Sequence, residues 1–408
     1  MDSDSDTKKT NDNSTFVSSE KKSLPPGGTL GILGGGQLGR MLASEARKAG
    51  CGVIILDPQP DCPAADLADS QIVANYDDPQ ALEILAGKAD LLTFEFENVN
   101  SSTLLSITNK IPVRPNPAVL NTCQHREREK IFLRDSKIPC ADFRIITQLS
   151  DLENAIKEIG TPCVLKTAAF GYDGRGQFKI NQPSEAQTAW ETIGQQRSVL
   201  EAWIPYTKEF SILCARSIDG DCRNFPAAEN HHSNHILDVS KVPADLPAAS
   251  LQTANDCVKK IAQKLDVVGL IAAEFFLLAS GEVLVNELAP RPHNSAHYTQ
   301  DACRVSQFEQ HLRAVCGWPL GDTSLIQPVI MQNLLGDLWQ NSPPAWERLL
   351  EIPQLSLHLY GKKEARPGRK MGHLNITASS SEEALTRAHK VREILGLPPL
   401  PFPEKITD

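Results

Sequence analysis

Apolar positions in the first part of the chain switch between the spacing of strands and the spacing of helices. The stretch "TLGILGGGQLGRMLASEARKAGCGVIILD", which starts at Thr29, reads as a strand, a glycine turn, an amphipathic helix and a second strand. Further along, "QIVANY" is followed by the helical pattern "DPQALEILAGKA" and the apolar strand "DLLTFEFEN". This alternation predicts a small, doubly wound α/β unit.

The rest of the pattern divides the chain into further segments. Residues 1–28 are rich in Ser, Asp, Asn and Lys, which predicts a disordered tail. The prolines of "IPVRPNP" end the first unit, and "QHREREKIFLRDSKI" reads as a charged amphipathic helix that leads into a second one. Near the C-terminus, "LSLHLYGKKEARPGRKMGHLNITA" predicts strands around a basic turn, and "SSEEALTRAHKVREILG" predicts a closing helix with a Ser cap. The predicted units therefore span residues 29–125, 126–318 and 319–408.

Composition narrows the class of protein. The 408 residues are 41% hydrophobic and 22% charged, which is ordinary for a globular protein. No apolar run approaches the ~18 residues that a membrane span needs. A net charge of −9 argues against broad nucleic-acid binding. Ten cysteines without a C-x-x-C pair, and the lack of a recognisable signal peptide, predict reduced thiols in a cytoplasm.

A glycine-rich loop, "GYDGRGQ", lies between two short apolar segments. Val164 to Lys166 and Phe178 to Ile180 read as β-strands, so the loop joins strand to strand. A Walker phosphate loop would need G-x-x-x-x-G-K-[ST] running into a helix, so that chemistry is excluded. Two interpretations stay open: a flap whose N–H groups cover phosphates, with Lys166 reaching in from the preceding strand, or an ordinary hairpin turn.

The first glycine turn contains the spacing of a dinucleotide-binding fingerprint. Gly34, Gly36 and Gly39 follow a strand, and Asp57 ends the next strand. Taken alone, this pattern predicts NAD. A ligand with one phosphate could use the same helix N-terminus. A purely structural strand-to-helix turn is about equally compatible with the glycines.

Two acidic residues stand out in "AAEFFLLASGEVLVNELAPRPHN". Two apolar strands flank Ser280 and Gly281, which we interpret as a two-residue hairpin turn. Counting outward from that turn places Glu274 opposite Glu287 on one face. Two opposed carboxylates among apolar neighbours predict a cation, and oxygen ligands favour Mg²⁺ carrying substrate phosphates, with Asn286 as a further ligand. The alternative is a pair of edge-strand glutamates that face solvent.

A basic cluster lies in "YGKKEARPGRKMGH", within an otherwise acidic chain. Its members are Lys362, Lys363, Arg366, Arg369 and Lys370. The cluster suits a monophosphate, although such runs are often only solvated faces.

Histidines in two segments could suggest zinc. They are His231, His232 and His235 in one segment and His293 and His297 in the other. Neither segment supplies a convincing ligand set, so hydrogen bonding to a substrate or surface exposure is the better interpretation.

Four motifs taken together resemble a known enzyme family. "ILGGGQLGRML", "KTAAFGYDGRGQ", "NELAPRPHNS" and "RPGRKMGHLN" are similar, in the same order, to motifs of the 5-(carboxyamino)imidazole ribonucleotide synthases, ATP-grasp enzymes of bacterial purine biosynthesis. The resemblance runs from about Thr29 to the C-terminal helix. It implies an α/β (α+β) protein with an ATP-grasp fold, an N-terminal Rossmann-like pre-ATP-grasp domain and a small C-terminal domain.

The resemblance also implies an activity. Bicarbonate would carboxylate the exocyclic amine of 5-aminoimidazole ribonucleotide in an ATP- and Mg²⁺-dependent reaction, through carboxyphosphate. The enzyme would be a cytoplasmic ligase and usually a homodimer, without a nucleic-acid or membrane partner.

The same resemblance assigns roles to residues of this chain. The ATP phosphate clamp would consist of Arg126, Lys166, Gly171, Tyr172, Asp173, Gly174, Arg175, Gly176 and Gln177. The adenine hinge would consist of Glu201, Ala202, Trp203 and Ile204, with Glu209 on the ribose hydroxyls and His232 beside the nucleotide. Magnesium would be held by Glu274 and Glu287, next to Asn286. The acceptor pocket would consist of Gln37, Leu38, Glu95 and Asn294, with Lys362, Arg369 and Lys370 on its phosphate.

Within the loop, Tyr172, Asp173 and Arg175 acquire a second role from the resemblance. They would face the acceptor substrate and bicarbonate, and Asp173 would orient or deprotonate the attacking amine. These three and Lys166 are the predicted catalytic residues.

Three rival functions follow from the same residues. A sister ATP-grasp enzyme that uses formate on a glycinamide ribonucleotide has a loop resembling "SSGKGQ" where this chain has "GYDGRGQ". A regulatory protein without catalysis would need to have lost a magnesium carboxylate or Lys166, and this chain keeps them. A dehydrogenase requires the first glycine turn to bind NADH.

Overall fold

The computed structural model describes residues 23–169, 176–340 and 342–402, which form helices packed on three sheets. The helices within these residues are α1 (Gln37–Lys48), α2 (Pro79–Lys88), α3 (Ser101–Ile107), α4 (Pro117–Cys123), α5 (Arg126–Asp135), α6 (Leu149–Ile159), α7 (Ala186–Thr192), α8 (Ala248–Lys264), α9 (Thr299–Ala302), α10 (Gln307–Cys316), α11 (Trp346–Leu350) and α12 (Ser381–Leu395).

The strands in the same part of the chain are β1 (Thr29–Leu33), β2 (Gly52–Leu56), β3 (Ser70–Ile72), β4 (Leu91–Phe94), β5 (Phe143–Ile146), β6 (Cys163–Thr167), β7 (Gln177–Ile180), β8 (Ser198–Ala202), β9 (Tyr206–Arg216), β10 (Cys222–Asn224), β11 (Ala228–Ser233), β12 (Ile236–Val242), β13 (Gly269–Leu278), β14 (Val283–Ala289), β15 (Val329–Leu335), β16 (Leu355–Leu359) and β17 (Lys370–Thr377).

The first sheet contains four parallel strands in the order β3-β2-β1-β4. Parallel strands covered on both faces are apolar throughout, and Leu30 and Ile32 on β1 are fully buried. Helix α1 packs on this sheet through Leu42 and Ala46. The predicted α/β unit is therefore confirmed.

The second sheet is antiparallel and has nine strands. Its order is β14-β13-β9-β11-β12-β15-β17-β16, and the short β10 pairs with β9 beyond the end of β11. Strands β16 and β17 flank the basic turn, as predicted. Helix α12 begins after Ser380, whose side chain accepts a hydrogen bond from the Glu383 N–H at 3.2 Å, so the predicted Ser cap is also confirmed.

The third sheet has four antiparallel strands in the order β5-β8-β6-β7. Strands β6 and β7 are those predicted on either side of the glycine-rich loop, and Lys166 lies opposite Gln177. The Thr167 N–H donates to the Gly176 carbonyl at 2.8 Å. The loop residues between them, 170–175, lie outside the described residues.

The described N-terminal part begins before β1, at residue 23. Leu24 is 7% exposed, its N–H donates to the Cys316 carbonyl at 2.8 Å, and its own carbonyl accepts from the Trp318 indole at 2.5 Å. The prediction of disorder is therefore wrong for residues 23–28, because one apolar side chain finds a place in the core beside α10. Residues 1–22 lie outside the described part of the chain.

The loop of the β13-β14 hairpin differs from the prediction. The Leu278 N–H donates to the Glu282 carbonyl at 2.9 Å, so three residues, 279–281, form the loop. Gly281 takes φ +86°, which suits the left-handed position of such a loop. The two-residue turn predicted at Ser280 and Gly281 is therefore wrong by one residue.

Two chain-wide features bear on the predictions from composition. All ten cysteines lie in described segments and are free thiols. No helix in those segments combines the length and the apolar character that crossing a membrane requires.

Candidate active site

The two acidic residues of the hairpin face each other. Glu274 on β13 pairs with Glu287 on β14, whereas Phe275 pairs with Val285. Asn286 is therefore an extra residue, a β-bulge, between the two pairs. The predicted pairing of Glu274 with Glu287 is confirmed.

The environment of this pair suits a divalent cation. Burial and the charge of Glu287 raise the pKa of the Glu274 carboxyl to about 8. The Glu287 side chain is 45% exposed, so the pair opens towards solvent. His293 Nε2 lies 3.3 Å from Glu274 Oε1. Within the described residues, no group of three or more His, Cys, Asp or Glu could hold a metal ion. Two carboxylates alone fit Mg²⁺, which commonly takes its other ligands from phosphates and water.

Three cations surround one buried carboxylate beside this pair. Lys166 Nζ on β6, Lys130 Nζ on α5 and an Arg126 nitrogen lie 3.0, 3.4 and 3.7 Å from the Glu201 carboxylate oxygens. Burial would raise the pKa of Glu201, but the three cations outweigh it and hold the pKa at about 2. Arg126 also lies 3.8 Å from Glu287. The structure thus joins the predicted phosphate cations to the predicted magnesium carboxylates.

The sequence prediction missed Glu129 and Lys130. They lie three and four positions after Arg126, so all three share one face of α5. Glu129 is 3% exposed and Lys130 is fully buried. The spacing was available in the sequence, but the helix was interpreted as a charged linker.

Glu209 and His232 lie together, as expected for two residues beside one ligand. His232 on β11 and Glu209 on β9 lie on neighbouring strands, and His232 Nδ1 is 2.7 Å from Glu209 Oε2. Burial lowers the pKa of His232, but the hydrogen bond to Glu209 and the charges of the nearby carboxylates together outweigh it and raise the pKa overall. These side chains line a cavity of about 230 Å³ together with Tyr206 and Phe402.

The predicted hinge follows β8. The Ala202 N–H donates to the Asp142 carbonyl at 2.9 Å, and the Trp203 N–H donates to the Pro162 carbonyl at 3.3 Å. The Trp203 ring is partly exposed and carries the Lys179 ammonium 3.6 Å from its centroid. The Ile204 carbonyl accepts from the Tyr206 N–H at 3.0 Å.

Carboxylates occupy the N–H groups of the first glycine turn. Glu95 accepts from the Gly36 N–H at 2.5 Å and also from the Gly39 N–H, while Asp57 accepts from the Gly35 N–H at 2.7 Å. Burial raises the pKa of Glu95. A dinucleotide pyrophosphate would have to displace Glu95 from the start of α1, so this geometry argues against NAD.

Residues of the predicted acceptor pocket meet from distant parts of the chain. Gln37 Oε1 accepts a hydrogen bond from Lys362 Nζ, which also donates to the Lys370 carbonyl at 2.7 Å. Burial lowers the pKa of Lys362 to about 8. Both side-chain polar atoms of Asn294 are buried without a partner in the structure, as for a residue that awaits a ligand. Leu38 packs in the core, so a ligand could reach only its backbone.

The basic cluster divides into two groups. Lys362 is largely buried, and Lys370 lies at the start of β17. Lys363 and Arg366 make exposed ion pairs with acidic residues and belong to a solvated face. Arg369 donates to the Glu364 carbonyl at 2.9 Å. The monophosphate site stays a prediction, and the exposed ion pairs leave Lys362, Arg369 and Lys370 as its candidates.

The remaining histidines do not assemble. His231 and His235 are exposed, His293 lies beside Glu274, and His297 is fully buried next to His373.

The glycine-rich loop contributes two described residues. Gly176 takes φ +72°, and Gln177 begins β7. Gly171, Tyr172, Asp173, Gly174 and Arg175 lie outside the described residues.

Three families of domain match this chain. Residues 28–124 match the ribonucleotide synthetase preATP-grasp domain, residues 131–308 match the ATP-grasp domain, and residues 329–387 match the phosphoribosylaminoimidazole carboxylase C-terminal domain. The predicted ATP-grasp fold with its two flanking domains is therefore confirmed.

Relatives and solved structures agree with these matches. The N5-carboxyaminoimidazole ribonucleotide synthase of Brucella melitensis is 44% identical over 87% of this chain and 98% of its own length. An N5-carboxyaminoimidazole ribonucleotide synthetase solved with ADP has a TM-score of 0.87 and 42% identity, covering 92% of this chain and 98% of that one. The synthase of Aspergillus clavatus, solved with ADP and 5-aminoimidazole ribonucleotide, has a TM-score of 0.85 and 30% identity, covering 91% and 99%.

Proposed function

The chain belongs to the N5-carboxyaminoimidazole ribonucleotide synthase family, and from that premise we propose how its residues divide the reaction. It is an ATP-grasp ligase of purine biosynthesis that carboxylates 5-aminoimidazole ribonucleotide on its exocyclic amine. Bicarbonate as carbon source, Mg²⁺ and the residue roles below are parts of the proposal.

The nucleotide would lie next to the three cations that surround Glu201. Arg126 and Lys166 would neutralise the ATP phosphates, because Glu201 balances only one of the three nearby positive charges. Residues 201–204 would hold adenine. Glu209 would accept the ribose hydroxyls, with His232 fixing its orientation through the 2.7 Å contact.

Glu274 and Glu287 would hold Mg²⁺, with Asn286 next to them. When bound, the ion neutralises charge on the γ-phosphate and orients it for transfer. The supporting observation is a largely buried carboxyl, that of Glu274, whose pKa is raised by burial and by an opposed carboxylate. Such a pair is costly unless a cation joins it.

The acceptor nucleotide would lie between α1 and the basic turn. Lys362, Arg369 and Lys370 would bind its phosphate, while Gln37, Glu95, Asn294 and the Leu38 backbone would line its pocket. The contact of Gln37 with Lys362 supports this arrangement, because it brings residues from both ends of the chain to one place.

The chemistry then follows in two displacements. A bicarbonate oxygen attacks the γ-phosphorus, the bond to the ADP oxygen breaks, and carboxyphosphate forms. The acceptor amine forms a bond to the carboxyl carbon, inorganic phosphate leaves, and the nitrogen gives up one proton. Tyr172, Asp173 and Arg175, outside the described residues, would face this second step, with Asp173 orienting or deprotonating the amine. Residues 171–177 would cover the phosphates and exclude water from carboxyphosphate.

The observation that carries the proposal is the contact of Arg126 with both Glu201 and Glu287. This contact joins the phosphate cations to the magnesium carboxylates. The test is incubation with ATP, Mg²⁺, bicarbonate and 5-aminoimidazole ribonucleotide, while ADP and carboxylated product are followed. Product that forms without bicarbonate, or ADP release that does not depend on the acceptor, would contradict the proposal.

We also propose a cytoplasmic homodimer. Free thiols at all ten cysteines support a reducing compartment, and light scattering of the purified protein would test the dimer.

A further inference from the structure

At the outer edge of β14, the Val285 N–H donates to the Pro139 carbonyl at 2.8 Å, and the next two edge groups along the strand are bound by side chains. β14 ends the nine-stranded sheet, with β13 on its inner side. On the outer side, Lys130 Nζ donates to the Asn286 carbonyl at 2.9 Å, and the Leu288 N–H donates to Glu129 Oε2 at 2.9 Å. These two backbone groups stand immediately before and after Glu287. Two adjacent residues of α5 therefore bracket that carboxylate.

Both bracketing side chains are ionisable and almost completely buried. Lys130 is fully buried and Glu129 is 3% exposed. Burying a charge is costly, whereas the free edge of a strand can be satisfied by water or by neutral groups. An ion pair in the interior is also weak evidence for stability, since apolar residues often do as well. We therefore interpret the two side chains as holding the backbone of β14 in a particular geometry.

The bulge at Asn286 decides where Glu287 points. Counted from the loop, where Leu278 bonds Glu282, a regular ladder would place Asn286 opposite Glu274 and Glu287 opposite Ala273. Because neighbouring residues of a strand point to opposite faces, Glu287 would then point away from Glu274. The extra residue in β14 moves Glu287 into register with Glu274. Lys130 holds the carbonyl of that extra residue.

We propose that Glu129 and Lys130 are positioning residues that fix the bulge at Asn286 and keep Glu287 turned towards Glu274, thereby setting the affinity for the divalent cation. This inference rests on the proposed role of Glu287 as a metal ligand. It extends the site from the two carboxylates to the helix that orients one of them.

The test measures Mn²⁺ binding to the enzyme–ADP complex by electron paramagnetic resonance, a readout that needs no turnover. Glu129→Leu removes the acceptor for the Leu288 N–H, and Lys130→Met removes the donor to Asn286. Each should weaken Mn²⁺ binding at least tenfold at saturating ADP. Glu129→Gln keeps an acceptor in place and should stay within threefold of wild type.

Ser250→Ala is the matched control. Ser250 is buried, and its hydroxyl donates to the Gly281 carbonyl at 2.6 Å, so it contacts the loop end of the same hairpin. The variant should lower the melting temperature and leave Mn²⁺ binding within threefold. If Glu129→Leu does not fold, Glu129→Asp tests the role of Glu129 in its place. The shorter aspartate side chain does not reach the Leu288 N–H, so this variant should bind Mn²⁺ at least tenfold more weakly than Glu129→Gln.

Two negative outcomes are distinguishable through Glu287→Gln. If that variant binds Mn²⁺ as wild type does, the metal role of Glu287 and the inference both fail. If Glu287→Gln binds weakly while Glu129→Leu and Lys130→Met stay within threefold of wild type, only the bracketing role is overturned.

Discussion

Glu274 and Glu287 lie directly opposite each other, although the loop between their strands is one residue longer than a two-residue turn. The bulge at Asn286 compensates for the longer loop. The sequence count missed one residue in the loop and also missed the one-residue bulge. These two errors shift the register in opposite directions and cancel, so the count still paired Glu274 with Glu287.

Glu287→Gln should remove most ATP turnover without unfolding the protein. One of two opposed carboxylates becomes neutral, which weakens metal binding and relieves repulsion in the metal-free protein. We expect ADP release to fall at least about 100-fold, roughly 2.7 kcal/mol of barrier, while the metal-free melting temperature stays the same or rises. The control is Glu282→Gln, an exposed residue of the same hairpin, which should match wild type. Near-normal ADP release at saturating Mg²⁺ would contradict the assignment of Glu287 as a metal ligand.

Lys362 should make acceptor use depend on pH. Burial lowers its pKa to about 8, so the ammonium loses its charge as pH rises through 8, and a substrate phosphate loses its partner. We expect kcat/KM for 5-aminoimidazole ribonucleotide to fall about tenfold between pH 7 and pH 9, because this ratio reports the free enzyme. Lys362→Met should have a low kcat/KM without that step.

The neighbouring Lys363 supplies the control for this pH dependence. Its ion pair with Asp61 is exposed, so Lys363→Met should keep the wild-type profile. A flat profile for the wild type would show that Lys362 is not the phosphate partner.

The N-terminal segment should contribute to stability only from residue 23 onward. Leu24 is buried beside α10, and Leu→Ala at such a site should cost about 2 kcal/mol. We expect a chain that starts at residue 23 to keep the melting temperature, and a chain that starts at Thr29 to lose several degrees by calorimetry. Pro26→Ala, on an exposed residue, is the control. Equal melting temperatures for the two truncated chains would mean that the Leu24 contact contributes nothing.

Lys166 and Asp173 should separate nucleotide binding from carboxylation. Lys166→Met removes a cation from the phosphate site and should weaken ATP binding at least tenfold, about 1.4 kcal/mol. Asp173→Asn keeps the size of the side chain but loses its charge, so ATP should bind nearly normally while product formation fails. Lys157→Met, on an exposed lysine of α6, controls for charge. Product within about threefold of wild type would leave Asp173 a turn residue that shapes the flap.

Local patterns predicted most of the elements but not the packing between them. The parallel sheet and the strands around the glycine loop follow from apolar periodicity, and the cap at Ser380 follows from its position before an acidic first turn. The hairpin loop was predicted one residue short, because Ala279 joins it and no pattern distinguishes Ala279 from the strand. A bulge is likewise set by contacts outside its own strand.

The residues of the candidate site that belong to a sequence motif were predicted. Those that become part of the site only through contacts between distant segments were missed. Glu129 and Lys130 belong to a helix that was interpreted as a charged amphipathic connection between two units, and they are buried because β8 and β14 supply their partners. Leu24 was assigned to a disordered tail because the prediction used the average composition of residues 1–28. A single apolar side chain can nevertheless pack in the core and fix the segment around it.

The continuity of the nine-stranded sheet limits how this enzyme can move. Four residue pairs join β12 to β15, so the C-terminal strands cannot rotate against the rest of the sheet without breaking that ladder. Among the described residues, the four-stranded sheet of β5, β6, β7 and β8 forms no ladder with the nine-stranded sheet, so we expect it to move as a lid that carries Lys166. Amide hydrogens at the rim of this lid should exchange sooner than those of β12 and β15, and nucleotide should slow the lid alone.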